Sequence, residues 1–509
     1  MGATGARRLP GPPAPRGERR TTGAHAGAVS APAGEPPDHE PPDRPGPPDG
    51  RQQRPVRRSG RLGRTAAAAR LGSTLGAGTV AKNVARRLAP PERRDEVARA
   101  YELRTAEQVA RSLGQMKGAL MKLGQLASFI DEGLPEPFRQ ALATLQSDAP
   151  PMAAELVSEV VTAELGRRPD DAFAHFDPVP LAAASIGQVH RATTHDGRAV
   201  AVKVQYPGVD DAIRADLANT AMLARMLPAL FPSLDGRVLA TELRDRLLEE
   251  LDYRREAANQ HRFAEAYRDH PFIHVPDVVG ELSTARVLTT ELAEGARFEE
   301  VVTWSQDERD LAGETLFRFV FRGINRLGIF NGDPHPGNYL FKPGGRITFL
   351  DFGLVREFAP EETHVFNQMI QTLILDGDGE GYRQVLEDVG LLRGGADLTT
   401  DQVVEYFGHF YALVREPGPF TVGSDYASET VRRIFDRTSP VAAAVDLPPM
   451  FVIVQRINLG LYALLARLEA TADWRRIAEE LWPMTDGPPS TELGRLEAAW
   501  ARQRVAGSP

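Results

Sequence analysis

The chain has 509 residues, no cysteine, 60 Lys/Arg against 69 Asp/Glu, and a formal net charge of −9. At ~150 residues per domain this length allows two to four domains and a sizeable core. The missing cysteine excludes disulfides, thiolate zinc sites, iron–sulfur clusters and cysteine nucleophiles, and it suits a reducing cytoplasm. The acidic total argues against a dedicated nucleic-acid binder.

That total hides a split. Residues 1–94 hold 18 Lys/Arg and 7 Asp/Glu, a net +11, so the remainder nets −20. Thirteen of the 40 prolines fall in the first 60 residues, and the first aromatic is Tyr101. Such a segment buries too little apolar surface to offset its ordering entropy, so 1–60 reads as a disordered basic Pro/Gly-rich tail. Arg7-Arg8 is followed by Pro10, Pro12 and Pro13, not by a secretory apolar core. In 61–94, an Ala-rich helical run gives way to Gly72, Gly76 and Gly78, then to Lys82, Arg86, Arg87, Arg93 and Arg94. Two readings fit: a linker or solvated helix, and a basic helix lying on an anionic membrane surface.

The next predicted elements are helical. Val109, Leu113, Met116, Leu120, Leu123 and Leu126 recur at helical steps, and Met152 to Leu165 fits a further helix. Beyond Pro180, Ala182–Arg191 and Arg198–Gln205 read as strands joined by His195-Asp196-Gly197. Helical stretches follow over 208–231 and 237–268. Val275–Val279 and Ala285–Leu292 form another predicted strand pair. A helix over Asp307–Leu327 precedes a Gly/Pro-dense loop and short strands at Tyr339–Phe341 and Ile347–Leu350. The rest, 359–505, is mostly helical. No run reaches the ~18 continuous apolar residues of a membrane span; Met450 to Leu468 is broken by Gln455, Arg456, Asn458 and Arg467. The expected fold is α+β and bilobal. Its expected parts are the 1–60 tail, the 61–94 segment, a helical extension over 95–178, an N-lobe over 179–295 and a helical C-lobe over 296–505.

Three segments in order point to nucleotide chemistry. Val200-Ala201-Val202-Lys203 puts a lysine on a strand, as the kinase V-A-I-K strand does to hold α/β-phosphates. Asp333 and Asn338, within Asn331-Gly332-Asp333-Pro334-His335-Pro336-Gly337-Asn338, have the Asp/Asn spacing of a kinase catalytic loop. Asp351-Phe352-Gly353 is a D-F-G whose carboxylate suits Mg²⁺. Where kinases carry G-x-G-x-x-G-x-V, this chain has Ala182-Ala183-Ala184-Ser185-Ile186-Gly187-Gln188-Val189. Alanine restricts positive φ and keeps a Cβ where backbone would approach phosphate, so this loop is expected to sit differently over a nucleotide.

With these motifs the chain resembles the UbiB/AarF/ADCK family of atypical protein-kinase-like ATPases, strongly over 105–360. Ala182–Ser185 matches the family's A-A-A-S loop and Lys122-Leu123-Gly124-Gln125 its K-x-G-Q signature. Glu250-Leu251-Asp252 matches E-x-D, Glu256-Ala257-Ala258-Asn259 matches E-A-x-N, and Asp333–Asn338 matches D-P-H-P-G-N. The resemblance implies a Lys203–Glu256 ion pair on ATP phosphates, Asn338 and Asp351 on Mg²⁺, and Asp333 as base or orienting carboxylate. It implies nucleotide contacts from Ala182, Ala183, Ala184, Ser185, Gly187, Val189 and a hinge at Thr290-Glu291-Leu292. Lys122 and Gln125 would occupy the protein-substrate side of the cleft, where Glu250 of the Glu250/Asp252 signature meets the lysine. Gly332 departs from the alanine usual before the catalytic Asp.

The implied function is Mg²⁺-ATP-dependent ATPase or phosphotransferase chemistry on an unidentified lipid or small molecule, in isoprenoid quinone biosynthesis or lipid homeostasis. A nucleotide-gated binding or chaperone module is the alternative; a protein kinase fits less well. The expected location is cytoplasmic, peripheral at the inner membrane face through 61–94, with no specific nucleic acid.

Overall fold

The computed structural model describes residues 152–507 except 185, 212, 214–247, 333, 437 and 486. The expected tail, the 61–94 segment, the extension up to 151 with Lys122 and Gln125, and most of the predicted 208–247 helices lie outside the described residues. All described residues belong to one unit, 51–509.

Helix α1 (Ala154–Leu165) buries Val157, Val160 and Val161, and stops where Gly166 takes the left-handed conformation at φ 68°. A four-stranded antiparallel sheet follows in the order β1 (His175–Ala184), β2 (Gly187–Thr193), β3 (Ala199–Gln205), β5 (Val287–Glu291). Strand alternation decides its two faces. Val200, Val202 and Val204 of β3 point to one side and pack with α1 residues Val157, Val160 and Val161. Lys203 therefore points to the other, where helix α2 (Tyr253–Ala266) runs.

Three local expectations are corrected. Ala182–Arg191 is not one strand: β1 ends at Ala184, which pairs with Gly187 at the start of β2. Pro178 and Pro180 masked the earlier part of β1, which tolerates them with register irregularities between Phe176 and Ala182. Val275–Val279 makes one isolated bridge, Val278 to Thr290, and the strand there is β4 (Ile273–His274). It joins the C-lobe as a parallel neighbour of β8 (Arg346–Phe349), itself paired with β7 (Tyr339–Lys342).

The C-lobe is built on helix α3 (Gln306–Arg322), capped by Ser305 and continued by a π turn over Gly323–Leu327. Two further short strands, β6 (Ile329–Asn331) and β9 (Val355–Glu357), pair antiparallel and bracket the catalytic-loop and D-F-G segments. Helix α4 (Pro449–Leu468) contains a stretch, Met450–Leu468, that by length and composition alone could cross a membrane, yet Ile457, Leu461, Tyr462, Leu464, Leu465 and Leu468 lie in the protein core. The last helix, α5 (Glu492–Gly507), is fastened by ions. Fully buried Arg318 donates to Glu314 at 2.7 Å and to Glu480 and Glu497 at 2.8 Å.

Burial pushes the Glu497 carboxyl up, but His270, Arg318 and Arg322 outweigh it and hold it at about 2. A carboxyl depressed on folding stabilises above its unfolded value near 4.5 and loses that contribution as pH falls toward 2. Glu497→Gln should cost about 3–5 kcal/mol at neutral pH, because Arg318 and Arg322 lose a buried counter-charge. The deficit should shrink as both proteins are acidified below the unfolded carboxylate value. Urea melts of both proteins at neutral and acid pH read both effects; equal stability at neutral pH would show that the network adds nothing.

Candidate active site

Lys203 reaches across from β3 to Glu256, in the first turn of α2. Its Nζ donates to both carboxylate oxygens, at 2.8 and 2.9 Å. Asp351 Oδ2 lies 3.6 Å from the same nitrogen, and the Tyr253 ring centroid is 4.9 Å away. Burial acts to lower Lys203, but Glu256, Asp351 and Tyr253 reverse it and hold the ammonium well above its usual value. Burial lifts Glu256 to about 7 against the pull of Lys203, with Asp351 adding to the rise. The direct bidentate contact favours the ionised pair. Two carboxylates, Glu256 and Asp351, thus lie against one ammonium.

Helix α2 is started by Asp252, whose side chain accepts from Arg254 N–H at 3.0 Å. Asp252 thus sits at the N-cap of the helix that carries Glu256. Glu250 adds to the negative field at both Glu256 and Tyr253. Its expected partner Lys122, with Gln125, lies outside the described residues.

The loop after β6 and the D-F-G segment are laced together. Gly332 N–H donates to Leu354 O at 2.7 Å, and Leu350 N–H donates to Asn338 O at 3.0 Å. His335 caps the short turn Pro336–Asn338 by accepting from Gly337 N–H. Asn338 is therefore next to the residue preceding Asp351; Asp333 lies outside the described residues. A methyl group on Gly332 would sit 3.2 Å from Leu354 Cγ, so glycine allows the Leu354 side chain to close on the loop. Asp351 Oδ1 accepts from Gly353 N–H at 2.9 Å, which orients its carboxylate toward Lys203.

This donor set fits Mg²⁺ carried by phosphate. Mg²⁺ is usually bound through one or two carboxylates together with substrate phosphate oxygens. Asp351 offers a hard carboxylate oxygen beside a lysine.

The alanine loop has a different physical basis from the one expected. Ala182, Ala183 and Ala184 are strand residues paired with Val189, Gln188 and Gly187, and none has positive φ. Alanine therefore carries no backbone penalty here. Gly187 is demanded by the sheet itself: a Cβ there would meet Val204 O at 2.2 Å. Ser185 lies outside the described residues. At the expected hinge, Glu291 N–H donates to Asp277 O and Leu292 N–H to Ala199 O, so both are spent within the fold. The Glu291 carboxylate bonds His274 at 3.1 Å, which holds it below its usual range.

Motif spacing gave no reason to single out Tyr253, Asn331 or the partner of Asn259. Asn331 stands two residues before Asp333, where the kinase H-R-D pattern has histidine, and that offset was the available signal. A cavity of about 850 Å³ between α1 and β1, lined by Val157, Thr162, Arg168 and Phe176, shares no residue with this centre.

Comparison with known proteins agrees with the geometry. The ABC1 atypical kinase-like domain matches residues 144–386. The rat atypical kinase COQ8B, mitochondrial, is 34% identical over 334 residues, covering 65% of this chain and 62% of that protein. The Saccharomyces cerevisiae atypical kinase COQ8, mitochondrial, is 32% identical over 290 residues, covering 57% and 58%. The chain thus spans about three fifths of the length of these relatives. The structure of the Rv3197–erythromycin complex from Mycobacterium tuberculosis is 35% identical with TM-score 0.57, covering 76% of this chain and 98% of that one.

The two loop findings separate by mutation. Gly187→Ala should destabilise the nucleotide-free chain by about 1–3 kcal/mol or more, as expected for overpacking. Ala184→Gly should cost no more than about 1 kcal/mol, the entropy of an added glycine. Thermal unfolding of both variants without nucleotide tests this; equal losses would remove the distinction.

Proposed function

The chain belongs to the UbiB/AarF/ADCK family of ABC1 atypical kinase-like proteins, and on that premise we propose that it binds Mg²⁺-ATP at the Lys203–Glu256–Asp351 centre and hydrolyses it or transfers its γ-phosphoryl group to a lipid or small molecule. One observation carries this reading. Three charged side chains from separate segments, a strand, a helix and a loop, meet within 3.6 Å around one ammonium.

Each residue then has a task. Lys203, held extended by Glu256, neutralises α/β-phosphate oxygens. Asp351 and Asn338 hold Mg²⁺, which offsets charge on the phosphates. Asp333 orients the acceptor hydroxyl, or a water, and takes its proton as the oxygen–phosphorus bond forms and ADP departs. Ala182–Ser185, Gly187 and Val189 cover the nucleotide, and the chain beyond Glu291 meets the base. Lys122 and Gln125 of the 95–178 extension close the protein-substrate side, which favours a small acceptor over a protein. Eight Lys/Arg against one Glu in 61–94 support peripheral contact with an anionic membrane, where an isoprenoid quinone precursor or another lipid would be available.

Mg²⁺-ATP or Mg²⁺-ADP should raise the melting temperature of the wild-type chain, and Asp351→Asn should abolish that rise. An unchanged wild-type melting temperature would sink the reading. With γ-labelled ATP, label on an extracted lipid or metabolite supports transfer. Free phosphate alone supports an ATPase or a nucleotide-gated switch.

A further inference from the structure

Two side-chain amides converge on the backbone that carries Asp351. Asn331, buried at the end of β6, donates Nδ2–H to the main-chain carbonyl of Asp351 at 2.6 Å. Asn259, three residues beyond Glu256 on α2, donates Nδ2–H to the carbonyl of Phe352 at 3.0 Å. Consecutive carbonyls are therefore tied to different parts of the protein. One is tied to the strand that enters the catalytic loop, the other to the helix that holds the Lys203 partner.

These carbonyls need such donors. The segment between β8, ending at Phe349, and β9, starting at Val355, has no ladder of its own at 351 and 352. A buried carbonyl left unmade would be costly. Side-chain amides on fixed elements satisfy both carbonyls and fix the two peptide planes. The direction of the Asp351 side chain follows from those planes. Phe352 closes the arrangement: its ring is fully buried, with its centroid 4.9 Å from that of Phe263 on α2. An amide also suits the place better than a base. It donates at every pH and adds no charge beside Lys203, Glu256 and Asp351.

We propose that Asn259 and Asn331 are positioning residues, an amide clamp that sets the Asp351 carboxylate and couples it to the helix carrying Glu256. The clamp deepens the proposed Mg²⁺-nucleotide site and rests on that reading for its purpose, while its effect on the 351–354 backbone is measurable without any ligand. Displacing the Asp351 segment requires both bonds to break, so loss of either amide should loosen metal binding before it loosens nucleotide binding.

The test uses the full chain with Asn259→Ala, Asn331→Ala and Asn331→His. Amide hydrogen exchange over 350–355 is followed in nucleotide-free protein, and ADP binding is measured by calorimetry with and without graded Mg²⁺. Each alanine variant should exchange roughly 2- to 10-fold faster there and need roughly 2- to 10-fold more Mg²⁺ for half-maximal ADP binding, the equivalent of one hydrogen bond. ADP affinity without metal should stay within about twofold, since the nucleotide contacts are untouched. Histidine at 331 keeps a donor and should restore both measures. Wild-type exchange and Mg²⁺ requirement in folded alanine variants would overturn the clamp, as would equal losses with and without metal. If Asn331→Ala does not fold, Asn259→Ala and Asn331→His decide by the same measures. If the wild-type chain shows no Mg²⁺-dependent ADP binding, the nucleotide reading falls and exchange alone judges the clamp.

Discussion

Everything at the candidate site depends on keeping Lys203 and Glu256 together in a largely dehydrated place. Removing two charges from water costs several kcal/mol each, and their attraction offsets that only in good geometry. The geometry here is bidentate, with both contacts below 3 Å. Asp351 makes the balance harder, because it adds a second negative charge beside one ammonium. Burial lifts the Glu256 carboxyl, with Asp351 adding to the rise, while Glu256 and Asp351 together keep Lys203 charged despite burial.

Helix α2 carries this constraint through the molecule. Its first turn presents Glu256 to the sheet, while Phe263, Ala264 and Tyr267 join the main C-lobe core. Phe263 meets Phe352 and Phe319, and Phe319 stacks on Phe349 at 3.6 Å. The far end of α2 is held from a distance in sequence: Trp500 Nε1–H donates to Arg268 O at 2.9 Å, just beyond the helix. Trp500 sits on α5, which the Arg318 carboxylate network binds to α3. Helix α2 and its C-terminal end thus contact the strand lysine, the D-F-G aromatic and the C-terminal helix.

The alanine-rich loop belongs to the same logic of backbone approach. Its alanines are strand residues and demand no special φ. Its glycine is set by the distance between β2 and β3, not by a nucleotide. A motif read as a phosphate-covering loop is, at these positions, first a solution to sheet packing.

Much of this was legible in sequence because it is local. Strand alternation around Lys203 and the order of Lys203, Glu256, Asn338 and Asp351 are properties of neighbours along the chain. The membership of one kinase-like family followed from those ordered motifs. Non-local pairing was not legible. Pro178 and Pro180 hid β1, whose irregular register accommodates them, and β4 pairs with a strand more than seventy residues away. Nor could spacing reveal that Asn259 and Asn331 reach consecutive carbonyls of the D-F-G segment. Residue types and their periodicity set which chemical groups are present and which face of each element they occupy. Which of them meet depends on the fold. Hydrogen bonds and ion pairs act over about 3 Å, whereas their partners here lie tens to hundreds of residues apart.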